Sequence, residues 1–563
     1  MKRCPQCKRI EPDDALAFCR VDGTALLVEA DAQSEVHTSL LPPTTNEGFR
    51  QPTATAVTGT QRTLPRAPEL AKPKRLKAFA LAIIGLSLVV LAFSLYYYRS
   101  HANSTAIDSI AVLPFVNQNH DPDTDYLSDG LAESLIYRLS QLPNLKVSPT
   151  SSVFRYKDKE ADPIKAGNEL GVSTVLFGRI TQRGDSLIIS AELVDVRNNK
   201  LLWGEQFDRK MSELLITQRE IAKDIAENLR IRVSGQETAL AKHYTESNEA
   251  YQYYLRGRSY WNKRTGENLK KAIEQFQQAA DKDPTYALAY VGLADCYALL
   301  EEYAGLPSSE NLPKARDAAL RALQIDNSLA EAHASMGYID LHSWQFAEAD
   351  KEFKRAIELN PNYATAHQWY HVYYRILDRL DEAFAEIKRA QQLDPLSSII
   401  TINVGDLYAL KGDLNSAIEE YKKIIDLDPS FPRAHAHLGL AYLRQGHQQE
   451  AIAELQKGVE LSGRASELLS FLGYGYGAMG KRSEAMAVLK ELEQRYAKRE
   501  TPAVYLAAVY IGLGDKDQAL AWLEKDFQTR TGMLIFSAFY VHFQSLRDDP
   551  RYLNLLRRIG LRS

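Results

Sequence analysis

The stretch PRAHAHLGLAYLRQGHQQEAIAELQKGVELS, residues 432–462, decides the fold. Apolar and small residues recur in it at helical spacing in two blocks around Gly446, the pattern of two helices joined by a turn. Gly439, in the first block, has counterparts at Gly337, His371, Gly405 and Gly473, each 34 residues from the next. Ala451, in the second block, has counterparts at Ala349, Ala383, Ala417 and Ala485 in the same step. Prolines close several units, at Pro284, Pro361, Pro395 and Pro429. One such hairpin cannot bury its apolar face alone, so the units must stack into a solenoid.

The period and register resemble those of tetratricopeptide repeats. Two irregular units, marked by Ala272-Phe276-Ala279 and Ala315-Ala319-Ala322, precede the regular run, and one around Ala507, Tyr510 and Ala519 follows it. This gives about eight units over residues 246–530. Residues 531–563, ending in SLRDDPRYLNLLRRIGL, read as a C-terminal cap with a polar outer face. Where two helices cross, small residues let the backbones approach, and Tyr408, Tyr442 and Tyr476 fill the space between neighbours.

The resemblance also implies where a partner binds. In such repeats, positions 2, 5, 9 and 12 of the first helix face the concave groove. In this register they include Tyr338, Gln368, Val372, Arg375, Ile402, Asp406, Leu440, Leu443 and Tyr474. Exposed Tyr, Ile and Leu along one groove form a larger apolar patch than a monomer usually leaves open. The expected partner is therefore a protein or peptide: an internal, partly apolar segment held by aromatic anchors and oriented by Arg375. The lysine and asparagine pattern that clamps a C-terminal carboxylate is absent.

Upstream, IAVLPFV reads as a buried strand, DGLAESLIYRLSQL as an amphipathic helix and LKVSPT as a second strand. DPIKAGNELG adds a short helix, and STVLFGRITQRGDSLIISAELVDVRNNKLLWGEQFDRK gives three alternating strands, with Arg183-Gly184-Asp185 as a hairpin turn. SELLITQREIAKDIAENLRIRV closes the unit as a helix. The order β-α-β-α-β-β-β-α predicts a small α/β sandwich over residues 105–235. IAVLPF, DPDTDYLSDGLAESL, ELGVSTVLFGRI and AELVDVRNNKLLWGEQFDR resemble the TolB-like domain of bacterial signalling proteins, which implies an interaction or sensing module. Asp121, Asp123, Asp125 and Asp129 lack the glycine and glutamate of a calcium loop, so they are expected in a solvated loop with Asp129 capping the next helix.

Residues 78–98, AFALAIIGLSLVVLAFSLYYY, carry no charge, and as a helix they match the apolar thickness of a bilayer. Arg62, Arg66, Lys72, Lys74, Arg75 and Lys77 precede this segment and only Arg99 follows it closely. The positive-inside rule thus predicts a single-pass protein of the inner membrane, with a cytoplasmic N-terminus and residues 100–563 outside the cytoplasm. Residues 28–77, rich in Thr, Pro and Ala, read as a disordered linker.

At the head, Cys4-Pro-Gln-Cys7 and Cys19-Arg-Val-Asp22 form two knuckles with the ligand types and spacing that suit zinc. Residues 1–27 resemble half of a zinc ribbon, with Asp22 standing where a fourth cysteine is expected. Asp22 is one choice for the fourth ligand; Asp13, Asp14 or water are the others. So small a module draws its folding energy from the metal, which makes the zinc structural. The remaining cysteine, Cys296, reads as a small apolar core residue.

A chain of 563 residues is too long for one core, and a net charge of −4 supplies no overall basic field. No phosphate-binding loop, nucleophile elbow or paired carboxylate motif is evident, so no enzymatic activity is expected. The chain is expected to be an α-solenoid of tetratricopeptide repeats with an α/β sandwich domain, one transmembrane helix and a zinc-ribbon-like module. It would serve as a membrane-anchored interaction scaffold or sensor. The alternative is a signalling or transcription-linked regulator whose cytoplasmic zinc head contacts nucleic acid or a regulatory protein, although Glu11, Asp13, Asp14 and Asp22 dilute the head's basic residues.

Overall fold

A computed structural model of the chain describes residues 2–3, 10–11, 27–28, 108–119, 124–142, 145–157, 161–229, 244–538 and 540–561. The chain divides into two bodies, Met1–His101 and Ala102–Ser563. In the first, strands β1 (Lys2–Arg3), β2 (Ile10–Glu11) and β3 (Leu27–Val28) pair antiparallel in the order β2-β1-β3. Cys4, Cys7, Cys19 and Asp22, the linker beyond Val28 and the span 78–98 all lie outside the described residues. Among the described residues, no helix is long and apolar enough to cross a membrane, and no group of three or more His, Cys, Asp or Glu is placed to hold a metal.

The second body opens with the small sheet domain. Its strands are β4 (Ser109–Val112), β5 (Val116–Asn117), β6 (Lys146–Val147), β7 (Thr174–Arg183), β8 (Ser186–Asp195) and β9 (Lys200–Lys210). They lie in the order β6-β4-β7-β8-β9, with β5 also on β7. β4 runs parallel between β6 and β7 and is buried throughout, which explains its unbroken apolar run. β7, β8 and β9 form the antiparallel meander, and Gly184 at φ 59° turns the first hairpin. Helices α1 (Asp125–Ser140), α3 (Pro163–Leu170) and α4 (Leu214–Asn228) pack on this sheet, and α2 (Thr150–Val153) follows its edge strand β6. Asp129 is corrected: helix α1 begins four residues before it, so Asp129 caps nothing. It is 4% exposed and pairs with Lys157 at 2.6 Å.

The described helices from Asn248 to Gln528 pair into eight hairpins. Repeat 1 is Asn248–Asn262 with Gly266–Lys282, repeat 2 Ala287–Ala304 with Ser308–Ile325, and repeat 3 Ala330–His342 with Phe346–Leu359. Repeat 4 is Ala364–Ile376 with Leu380–Leu393, repeat 5 Ser398–Leu410 with Leu414–Leu427, and repeat 6 Pro432–Gln445 with Gln448–Leu461. Repeat 7 is Ser466–Ala478 with Arg482–Ala497, and repeat 8 Ala503–Gly512 with Lys516–Gln528. The periodic alanines 349, 383, 417, 451 and 485 are all fully buried at the crossings. A β-carbon on Gly337 would sit 2.8 Å from the Phe353 ring, and one on Gly405 2.5 Å from the Tyr421 ring, which is why a small residue holds that position. Cys296 is buried and unpaired in the core, as its sequence context implies.

The solenoid winds round until repeat 2 meets repeats 6, 7 and 8. Arg433 of repeat 6 reaches Glu302 of repeat 2 at 2.5 Å, and Arg499 reaches Glu310 at 3.2 Å. Gly305, at φ 65°, lies so close to the Glu500 carbonyl that a β-carbon there would be 2.0 Å from it.

The C-terminal segment departs from the expected cap. Helix Pro550–Arg558 does close repeat 8, with Tyr552, Leu555 and Leu556 inward and Arg551 and Arg558 paired with Asp517 and Glu524. Two 3₁₀ segments, Gly532–Ala538 and Val541–Leu546, run back instead. Gly532–Ala538 packs against the first helices of repeats 2, 3 and 4 as well as both helices of repeat 8. The segment from Thr531 to Ser545 contains no Asp, Glu, Lys or Arg. Met533, Leu534, Ile535, Phe543 and Leu546 are each at most 1% exposed, so this segment is core.

Candidate functional site

The first helices of all eight repeats, helices α1 and α2 of the sheet domain and the returning tail enclose one channel of about 1230 Å³. Its walls are held by ion pairs between distant parts of the chain. Glu133 of α1 accepts from Arg258 at 2.5 Å and from Asn262 at 3.2 Å. The guanidinium groups of Arg258 and Arg264 lie 4.2 and 3.7 Å from the centre of the Trp261 ring. Across the channel Arg433 bridges Glu302 at 2.5 Å and Glu467 at 3.0 Å, and so ties repeat 2 to repeats 6 and 7. The hydroxyls of Ser151 and Ser152 in α2 donate to the Asp394 carboxylate between repeats 4 and 5, fixing the sheet domain over the channel.

Two further nodes hold the tail. The Gly532 amide donates to Ser308 Oγ at 2.7 Å, and Tyr540 donates to Glu467 at 3.1 Å. Beside the first, burial pushes the Glu301 carboxyl up to about 8, and it pushes Asp526 up to about 7 although Asp526 accepts from the Ala503 and Val504 amides. Asp406 goes the other way. Burial alone would raise its carboxyl, but His437 at 2.6 Å, Tyr421 at 2.8 Å and Arg375 at 3.3 Å hold it well below the usual carboxylate range.

Six of the nine residues expected in the groove, Tyr338, Gln368, Val372, Arg375, Ile402 and Asp406, line this channel. Leu440 lines a smaller adjoining cavity of about 40 Å³ together with Arg375, Asp406 and His542. Tyr474 packs on His542 of the tail, ring centres 5.2 Å apart, and Leu443 is half-buried away from both cavities. Their exposure is corrected. Tyr338 and Ile402 are 4% and 2% exposed, Arg375 is spent on Asp406, and Tyr338 packs between His342 and Trp369. The open apolar patch expected on the concave face is thus covered by the chain's own tail and by neighbouring repeats. Gln368 and Val372 remain half-buried on the channel wall. Sequence reading missed Glu133, Trp261, Glu302, Arg433 and Glu467, because a 34-residue period carries no sign of which repeats meet when the solenoid winds back.

Known proteins resemble parts of this chain. Residues 105–224 match the family model of the HilA/YgeH-like transcriptional regulator, second domain, and residues 405–446 and 432–464 match tetratricopeptide repeat models. Residues 405–464, which hold most of repeat 5 and all of repeat 6, therefore match tetratricopeptide repeats in sequence. A putative adenylate cyclase 3 of Rhizobium meliloti is 30% identical over 232 residues, 40% of this chain and 39% of that protein. The transcriptional regulator HilA of Salmonella typhimurium is 25% identical over 269 residues, 46% of each chain. The Tol-Pal system protein TolB of Blochmanniella floridana is 27% identical over 154 residues, 25% of this chain and 33% of that protein. The solved structure of Pseudomonas aeruginosa pilF aligns at 20% identity with a TM-score of 0.31, over 38% of this chain and 93% of that one. The chain thus spans less than half the length of these curated relatives, and the likeness to TolB is narrower than the likeness to HilA.

Proposed function

We propose that this chain is a regulatory interaction scaffold that binds an extended segment of another protein in the channel between its sheet domain and its repeats. One observation carries this reading. The channel keeps about 1230 Å³ open after the tail has filled part of the concave face, and half-buried side chains such as Gln368 and Val372 still face it. A volume above the usual range for small-molecule pockets suits a peptide strand. The shared likeness of residues 105–224 to a domain of HilA-type regulators supports a regulatory setting. No catalytic role is proposed.

The remainder of the reading rests on sequence. Residues 78–98 would anchor the chain in the inner membrane with residues 100–563 outside the cytoplasm, and Cys4, Cys7, Cys19 and Asp22 would hold a structural zinc in the cytoplasm. In the alternative, that head contacts nucleic acid or a regulatory protein.

A photo-crosslinking residue placed at Gln368 or Val372 in the full chain should capture a protein that the same residue at exposed positions of the outer helices, such as Lys351 or Glu419, does not. Val372→Arg should abolish that capture without unfolding the chain. Equal capture from the outer helices would place the partner surface elsewhere.

A further inference from the structure

Three repeats carry the same histidine device. His333, His367 and His435 stand at equivalent places on the first helices of repeats 3, 4 and 6. In each, Nδ1 lies 2.6 Å from a glutamate on the second helix of the same repeat, Glu352, Glu386 and Glu454. In each, Nε2 lies 2.9 to 3.1 Å from a backbone carbonyl six residues earlier, that of Asn327, Pro361 or Pro429. Each imidazole thus pins both helices of its hairpin and the turn leading into it.

The proton count follows from the partners. A backbone carbonyl only accepts, so Nε2 must carry a hydrogen. A nitrogen and a carboxylate oxygen at 2.6 Å need a proton between them, whichever atom holds it. Each device therefore binds one proton more than a neutral histidine beside an ionised glutamate. We infer that His333–Glu352, His367–Glu386 and His435–Glu454 are three proton-dependent clamps, and that losing their protons as pH rises loosens the middle of the solenoid.

The surroundings fit this role. A basic residue follows each glutamate by three positions, but Arg355 is taken by Glu358, Arg389 by Asn362 and Lys457 by Glu460. The preceding turns bring Asp326 and Asp428, which accept from Ser328 and Ser430. At His333 burial opposes the charge, yet Glu352 and the Asn327 carbonyl outweigh it and lift the imidazole above its ordinary value. Two of the clamped turns border the channel through Asn360, Asn362 and Asp428.

Repeat 5 supplies the built-in comparison. Thr401 stands where histidine would be, and its hydroxyl turns back to the Ser397 carbonyl at 2.9 Å. The matching Glu420 is 8% exposed, held by Lys423 at 2.9 Å through one oxygen, while its other oxygen has no partner. Pro395 lies six residues before Thr401, as the other acceptor carbonyls do.

The test follows the thermal unfolding of the full chain between about pH 6 and about pH 9. Glu301, Asp526 and Asp295 also bind protons more readily in the fold, so the wild-type curve falls for more than one reason and the variants carry the decision. His333→Gln, His367→Gln and His435→Gln together should flatten the fall of Tm with pH. Thr401→His should raise Tm near pH 6, through a fourth clamp, and lose that gain near pH 9. A triple variant with the wild-type slope, or a Thr401→His gain that ignores pH, overturns the proposal. If the triple variant does not fold, Thr401→His decides alone. The test uses no partner, so its failure is separate from failure of the channel reading.

Discussion

The inner and outer helices of one repeat differ sharply. In repeat 3 the inner helix, Ala330–His342, buries 12 of its 13 residues, whereas the outer helix, Phe346–Leu359, buries only Ala349, Phe353 and Ala356. The outer helix is amphipathic in the ordinary way, with one apolar stripe inward and charge outward. The inner helix has no solvent side: one face meets its partner helix, and the other meets neighbouring repeats, the tail or the channel. The polar groups of inner helices are therefore held in networks between repeats, as Arg433 is by Glu302 and Glu467, whereas those of the outer helix of repeat 3 pair locally, Glu352 with His333 and Lys354 with Asp350.

The contrast breaks most severely at Asp406. Replacing it with alanine leaves the Arg375 guanidinium buried without its counter-charge and should cost about 3–5 kcal/mol in chemical denaturation. A loss below about 1 kcal/mol would mean that water reaches the inner face after all.

Leu534→Ala tests whether the tail is part of the inner core. Leu534 is fully buried, so its truncation should cost about 2–5 kcal/mol. Hydrogen exchange should quicken first in the inner helices of repeats 2 to 4, which the tail covers. A surface-sized effect would make the tail a removable strap.

Gly405→Ala sharpens the comparison between the two helices of one hairpin. Its β-carbon would press on the Tyr421 ring, and the expected loss is about 1–3 kcal/mol. The same change at Gly412, where nothing lies within 4 Å, would act only through its φ of 88°.

A smaller effect is expected from Glu301. Its folded carboxyl titrates near 8, above its unfolded value, so the stability it contributes is full in acid and is lost as pH rises through about 8. Glu301→Gln should remove that part of the alkaline decline, and an unchanged decline in Tm would show that Glu301 stays ionised. The smallest change belongs outside: Lys351→Ala on the outer helix of repeat 3 should move stability by no more than about 0.5 kcal/mol.

Much of this was legible along the chain. Period and register located the hairpins, the small residues at their crossings and Cys296 in the core, because each depends on neighbours within one repeat or the next. The meander of the sheet domain and its Gly184 turn were legible for the same reason. The helical start before Asp129 was not, since Thr124 and Asp125 look like loop until Asn117 binds both. Nor was the pairing of Glu133 with Arg258, which lies 125 residues away.

By itself the sequence determined that the chain folds as stacked helix pairs behind a small mixed sheet, since hydrophobic period and turn chemistry act over a few residues at a time. It also determined which residues point inward, six of which do reach one channel. Only the tertiary structure decided whether that inner face stays open. The uncharged segment 531–545 and the winding of repeat 2 onto repeats 6 to 8 cover most of it, and no local pattern records how far a solenoid turns before it meets itself. Burial of the concave face is a property of that closure, and it is why Tyr338 and Ile402 are core while Gln368 and Val372 still line free space.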